Sequence, residues 1–336
     1  MSEENKIKSS MKCVLFILYN LDSMDYIRAQ LQSILNNIKT DKSQYVINSF
    51  WQILNTLQQL ENKEINEETY DQAVNNFITH ILNNNNGKSG TRPIILLNML
   101  LGCIKEEFHK YKYFNNIYEN NIYDYIIQNN FDIFNNLLQM DDQNLFETIR
   151  SKIFDFKNRF KGPFVDNFYF LTLLLSKCSQ CGSVFGIKKF EVGPFLPLNV
   201  PNPENNLSDL VTNFFSPIPG EGNDDCKKKD CPGKKKRLRQ KFCLNLPNYL
   251  FLEFEDKNRI FFDEKISVPL FNGQIYYYEF YACIYKRKFK DSLIFSAVLK
   301  IEDAYFHYSI NKVEFWPATN MNLENPSLAL YKKIPS

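Results

Sequence analysis

Four of the eight cysteines form two close pairs, Cys178-Ser-Gln-Cys181 and Cys226-Lys-Lys-Lys-Asp-Cys231, separated by 44 residues. Zinc takes four thiolates in a tetrahedron, and two such pairs on neighbouring hairpin tips supply them without main-chain strain. With all four positions filled by sulfur, no site is left for water, so the metal would hold structure and catalyse nothing. The competing reading is ordinary thiols at chance spacing. Cys13, Cys103, Cys243 and Cys283 are scattered, which does not suggest a disulfide framework and fits a reduced, intracellular protein. Thiol catalysis would also need a base. The three histidines are His80, His109 and His307, and none stands at a spacing that links it to a cysteine. Cys13 lies in an apolar run, where thiols are usually inert.

Nine basic residues flank the second pair: Lys227, Lys228, Lys229, Lys234, Lys235, Lys236, Arg237, Arg239 and Lys241. Three readings stay open for residues 227–241. They are a nuclear-import segment, a patch for RNA phosphates, or a solvated hairpin tip that keeps an exposed edge from pairing. No aromatics are interleaved, which argues against stacking on single strands. The chain as a whole is nearly neutral at +2, so no global field draws it to nucleic acid or a membrane.

The elements that must position these groups change character along the chain. Hydrophobic residues make up 44% of the 336 residues and aromatics 15%, enough to build a core and exclude a disordered chain. About 40 asparagines read as compositional bias with little functional content. Helical period is expected over residues 22–37, with Asp22 or Ser23 as cap, and over 46–60, 70–82 and 94–112, then 122–138 and 144–160. Residues 83–90 form a polar break. Beyond Gly162-Pro163 the period changes, and strands are expected at 195–200, 249–254, 276–284, 293–301 and 305–310. Helices followed by strands predict an α+β fold with an antiparallel sheet. The first ten residues are polar and the apolar run 14–18 is too short for a secretory leader. No stretch is long enough to span a membrane, so a soluble protein without a membrane partner is expected.

From Cys178 onward the order of motifs resembles the ubiquitin-specific protease (USP) family. The matching pieces are the first Cys pair, Phe195-Leu-Pro-Leu-Asn-Val-Pro201, Leu207-Ser-Asp-Leu-Val-Thr-Asn-Phe-Phe215 and the second Cys pair. Cys243-Leu-Asn-Leu-Pro-Asn-Tyr-Leu-Phe-Leu-Glu-Phe254, Val268-Pro-Leu270, Tyr278-Glu-Phe-Tyr-Ala-Cys-Ile284 and Leu328-Ala-Leu-Tyr331 continue it. At the N-terminus, residues 20–32 resemble the family's nucleophile-helix signature through Asn20-Leu21, Tyr26 and Leu31-Gln32. The resemblance implies a papain-type fold with a helical thumb (11–161), zinc-ribbon fingers (162–245) and an antiparallel palm (246–335), all in one domain.

On this alignment Asp25 stands where active members have the nucleophilic Cys. Ile294 replaces the His, and Ser309 replaces the Asp or Asn that orients it. Asn20 matches the oxyanion-hole position. A carboxylate cannot perform thiolate chemistry and isoleucine cannot accept a proton, so a pseudoenzyme is implied. The Asp25-Tyr26 pair and residues 258–265 are similar to an inactive branch found in the spliceosomal U4/U6.U5 tri-snRNP. That branch implies a nuclear scaffold in pre-mRNA splicing whose partners are snRNP proteins, and snRNA through residues 227–241. An active deubiquitinase and a non-catalytic ubiquitin binder are the alternatives.

Overall fold

The computed structural model describes residues 2–39, 41–85, 90–111, 151–152, 155–156, 163–182, 184–200, 204–220, 226, 231, 237–254, 259–270, 274–289, 292–309, 312–316 and 322–335. The helices expected at 122–138 and over most of 144–160, Gly162, and Lys227–Lys229 and Lys234–Lys236 of the basic stretch lie outside these residues.

Five helices come first: α1 (Glu3–Tyr19), α2 (Met24–Asn37), α3 (Val46–Glu61), α4 (Glu67–Asn84) and α5 (Pro93–Tyr111). α1 starts ahead of the expected domain start at residue 11, and no helical period is legible over it in the sequence. Every residue from Ser10 to Leu18 is buried. A helix walled in on all sides shows no polar stripe, and a polar stripe is what makes amphipathic helices readable. α3 and α4 show the opposite pattern. Val46, Phe50, Ile53, Leu54 and Leu57 recur at helical spacing and are all buried, as are Tyr70, Val74, Phe77, Ile78 and Ile81.

The helices are tied by polar contacts at their ends. The Asn66 side chain accepts from the Thr69 amide at 2.8 Å, an ordinary N-cap. α3 has no such cap of its own. Instead the buried carboxylate of Glu107, on α5, accepts from the amides of Val46 and Ile47, both at 2.8 Å. A negative charge at a helix start satisfies two orphan donors and complements the dipole. Lys12, almost buried on α1, pairs with Asp71 of α4, which Lys8 also reaches at 2.9 Å.

The second part of the chain contains α6 (Pro163–Phe168), β1 (Phe170–Cys178), β2 (Val184–Gly193), β3 (Phe195–Leu198), β4 (Glu204–Asn206), α7 (Leu207–Phe215) and β5 (Ile218–Pro219). It continues with β6 (Arg237–Cys243), β7 (Tyr249–Phe254), β8 (Arg259–Phe261), β9 (Lys265–Pro269), β10 (Ile275–Phe289), β11 (Ser292–Ile301) and β12 (Ala304–Ser309). Last come β13 (Lys312–Trp316), β14 (Asn322–Glu324) and β15 (Pro326–Lys333). β2-β1-β6-β5 make a four-stranded antiparallel sheet. The large sheet runs β13-β12-β11-β10-β15-β7-β3, with β9 beside β10, and is antiparallel except where β3 joins β7. A small sheet, β14-β8-β4, completes the set.

The large sheet is buried on both faces. α1 lies along β11 on one face, with Phe16 stacked on Tyr308 at 4.4 Å between ring centroids. On the other face Tyr278, Phe280, Cys283, Val298 and Tyr331 join a second core that includes α7. The mixed helix-then-sheet architecture is the expected α+β fold.

Candidate metal centre and the corner beneath it

The four paired cysteines converge at one end of the small ribbon. β1 ends at Cys178, whose partner on β6 is Arg237, the first residue of that strand. The chain turns through Cys181 and Gly182, and the Gly182 amide donates to the Cys178 carbonyl at 3.0 Å. Gly182 has φ +72°, a conformation that a side chain would strain. Cys226 and Cys231 come from the connection between β5 and β6. Sγ of Cys178 lies 3.7 Å from that of Cys231, and Cys181 is 3.5 Å from Cys226. All four sulfurs lie within 4.8 Å of one another. A zinc–thiolate tetrahedron with 2.3 Å bonds has edges of about 3.8 Å. The sulfurs are spaced for that ion, and the four side chains form a possible zinc site. With four thiolates as ligands the ion would fasten the tip of the ribbon and leave no open position.

The corner where the resemblance sought a triad is built differently. Ile294 on β11 is buried and pairs with Arg287 on β10. The Arg287 guanidinium donates to Ser309 Oγ at 2.6 Å, and Ser296 and Ser309 hydroxyls meet at 3.2 Å in a buried pair. A fixed positive charge, an aliphatic chain and two hydroxyls occupy the corner. None of them accepts a proton near neutral pH.

The third expected position, Asp25, lies on α2. Asp25 is exposed in the first turn of α2 and makes no hydrogen bond or ion pair among the described residues. α2 packs mainly on α3 and α6. The helix that packs along β11 is α1, whose Ser9 Oγ is 3.5 Å from the Phe295 amide nitrogen. Ser9 also donates to the Lys6 carbonyl at 3.0 Å.

Asn20, the expected oxyanion-hole position, lies at the end of α1. It is the C-cap of α1, eleven residues beyond Ser9, about 16 Å along the axis. Its side-chain amide donates to the Phe16 carbonyl at 2.7 Å, and its own carbonyl accepts from the Tyr281 hydroxyl. The expected cap of α2 is also differently used. Ser23 holds the N-cap position without a side-chain bond, while Asp22 pairs with Lys332 of β15.

The His109 side chain lies outside the described residues, and among those described the remaining thiols and imidazoles form no substitute pair. Burial pushes the Cys13 thiol far above its usual range, and the same cause lifts Cys243 to about 12. His80 bridges the Ser49 hydroxyl and the Gln44 carbonyl. His307 is buried against Trp316 and Tyr285, with ring centroids 5.0 and 6.2 Å away. Burial, and then the Arg287 charge, depress its pKa to about 4, so it is neutral at physiological pH. Of the basic stretch, Arg237 is buried and Arg239 and Lys241 are half-buried on the ribbon. Lys241 reaches Glu191 at 3.7 Å.

No family model and no curated protein matches the sequence. Solved structures do match in shape. A yeast SAGA DUBm with a variant Sgf73 aligns with a TM-score of 0.64 at 11% identity, covering 99% of this chain and 70% of that one. The Ubp8-Sgf11-Sgf73-Sus1 SAGA DUB module gives 0.61 at 13% identity, covering 98% and 66%. A Ubp8/Sgf11/Sus1/Sgf73 module bound to monoubiquitin gives 0.57 at 13%, covering 100% and 71%. At such identities the likeness shows the fold alone, and that fold is the USP type of deubiquitinase. Among the described residues no helix is long and apolar enough to cross a membrane.

Proposed function

We propose that this chain is a non-catalytic USP-type module that works by binding other proteins. One observation carries the reading: at the corner of the fold where the chemistry would sit, Ser9, Ile294, Arg287 and Ser309 offer neither thiolate nor base. Removing such a unit normally costs about 10⁶ in rate. Around that corner the described fold runs from the buried α1 to the four converging cysteines. The chain is read as one domain, with a helical thumb up to residue 161, fingers over 162–245 and a palm over 246–335.

Two classes of partner follow. Related folds are solved with protein subunits, and one is bound to monoubiquitin, which supports ubiquitin or assembly subunits as ligands of this chain. The second reading is a nuclear subunit of the splicing machinery. The basic residues around the second cysteine pair favour it, as a charge that would meet snRNA phosphates. Its other motive is the resemblance that sets Asp25 at the nucleophile position.

Affinity capture of the native protein tests both readings. Ubiquitin or ubiquitinated proteins in the eluate support the first. U4, U5 or U6 RNA with their proteins supports the second. Turnover of a ubiquitin substrate by the purified chain contradicts the non-catalytic reading.

A further inference from the structure

The outermost strand of the large sheet, β13, has a composition that its place in the fold does not explain. Among the described residues it pairs with β12 alone. Val313 and Phe315 are 53% and 67% exposed, although they lie across from Tyr308 and Phe306. They therefore extend the face of the sheet that α1 covers, beyond the reach of the helices. Phe315 touches Phe306 edge-on, with ring centroids 6.4 Å apart. Lys312 and Glu314 point to the opposite face, are exposed, and make no salt bridge among the described residues. An edge strand with two bare apolar side chains is a template for pairing with another strand.

We propose that β13 is a self-association edge, on which two copies of the chain pair antiparallel about a two-fold axis through Val313. Charge complementarity selects both the occupant and the register. A two-fold on Val313 sets Lys312 of each copy across from Glu314 of the other, giving two cross-strand ion pairs on one face. On the other face the two Val313 side chains meet, and each Phe315 lies diagonal to the second copy's Val313, within reach of an aromatic ring. A two-fold on Glu314 would oppose two carboxylates. A two-fold on Phe315 would set Glu314 against Trp316 and leave Lys312 without a partner. Five residues make a short interface, so the dimer is weak and salt-sensitive.

Sedimentation velocity on the full chain over a range of concentrations tests the proposal. The expected result is a monomer–dimer equilibrium that shifts toward monomer as salt is raised. Phe315→Lys and Lys312→Glu should each weaken association by about tenfold or more. Both residues are exposed, so neither change threatens folding, and circular dichroism checks this. The double exchange Lys312→Glu with Glu314→Lys restores opposite charges across the two-fold and should recover most of the affinity. A chain that stays monomeric up to its solubility limit overturns the proposal. So does a dimer indifferent to these substitutions, or a double exchange that recovers nothing. A monomer that instead takes up an unrelated extended peptide at β13 overturns self-pairing in favour of a foreign strand.

Discussion

The ribbon tip and the corner beside α1 are both places where this fold can carry chemistry, and they have gone opposite ways. At the tip all four thiols are present, spaced for one ion and held by a glycine that only that turn requires. At the corner an arginine, two serines and an isoleucine fill the space, with the guanidinium and the two hydroxyls joined by hydrogen bonds. On the proposed reading, groups that hold shape are kept and groups that would react are replaced. That contrast is what a module used for its surface would show, because binding needs the architecture and has no use for a nucleophile.

The contrast is broken or sharpened first at the tip. Zinc analysis of the purified protein should find about one equivalent per chain, and Cys178→Ser should lower it sharply. Structural zinc contributes folding free energy directly, so this variant or a chelator should unfold the ribbon. Loss of metal with unchanged denaturation would sever the tip from the account. The next largest effect lies on β12, two residues before Ser309. His307 has a folded pKa of about 4 against 6.5 in the unfolded chain, so protonation favours unfolding. Stability should be full above pH 6.5 and fall as pH drops toward 4, by at most about 3 kcal/mol and, with solvent screening, about half that. His307→Phe should flatten that stretch of the pH profile, measured by denaturant titration.

A smaller effect is expected within the helices. Glu107→Gln leaves one acceptor for two amides at the start of α3 and should cost about 1–3 kcal/mol in the same titration. Least of all, Asp25→Ala should change stability by less than about 0.5 kcal/mol, since the side chain is exposed and unbonded. A large loss there would mean that Asp25 has a role the geometry denies it.

These regions also differed in how far they could be read from the sequence. The cysteine set needed only spacing, because a close pair is a local property of the chain. β7 and β11 were legible from short runs of apolar, β-branched and aromatic residues, and α3 and α4 from their polar stripes. α1 was not, since a helix buried all round has no stripe. The Glu107 cap joins residues 60 apart along the chain, and the exposed Val313 and Phe315 look like any strand residues. Their meaning comes from which strand ends the sheet, which is a fact of topology.

The most direct test of the central claim is turnover of a fluorogenic ubiquitin substrate by the purified full chain, alongside Cys13→Ala and Ser9→Ala variants. The account predicts a rate no greater than buffer for all three. Turnover by the native chain that disappears in Cys13→Ala would contradict it, because a thiol that burial holds protonated would then be acting as a nucleophile.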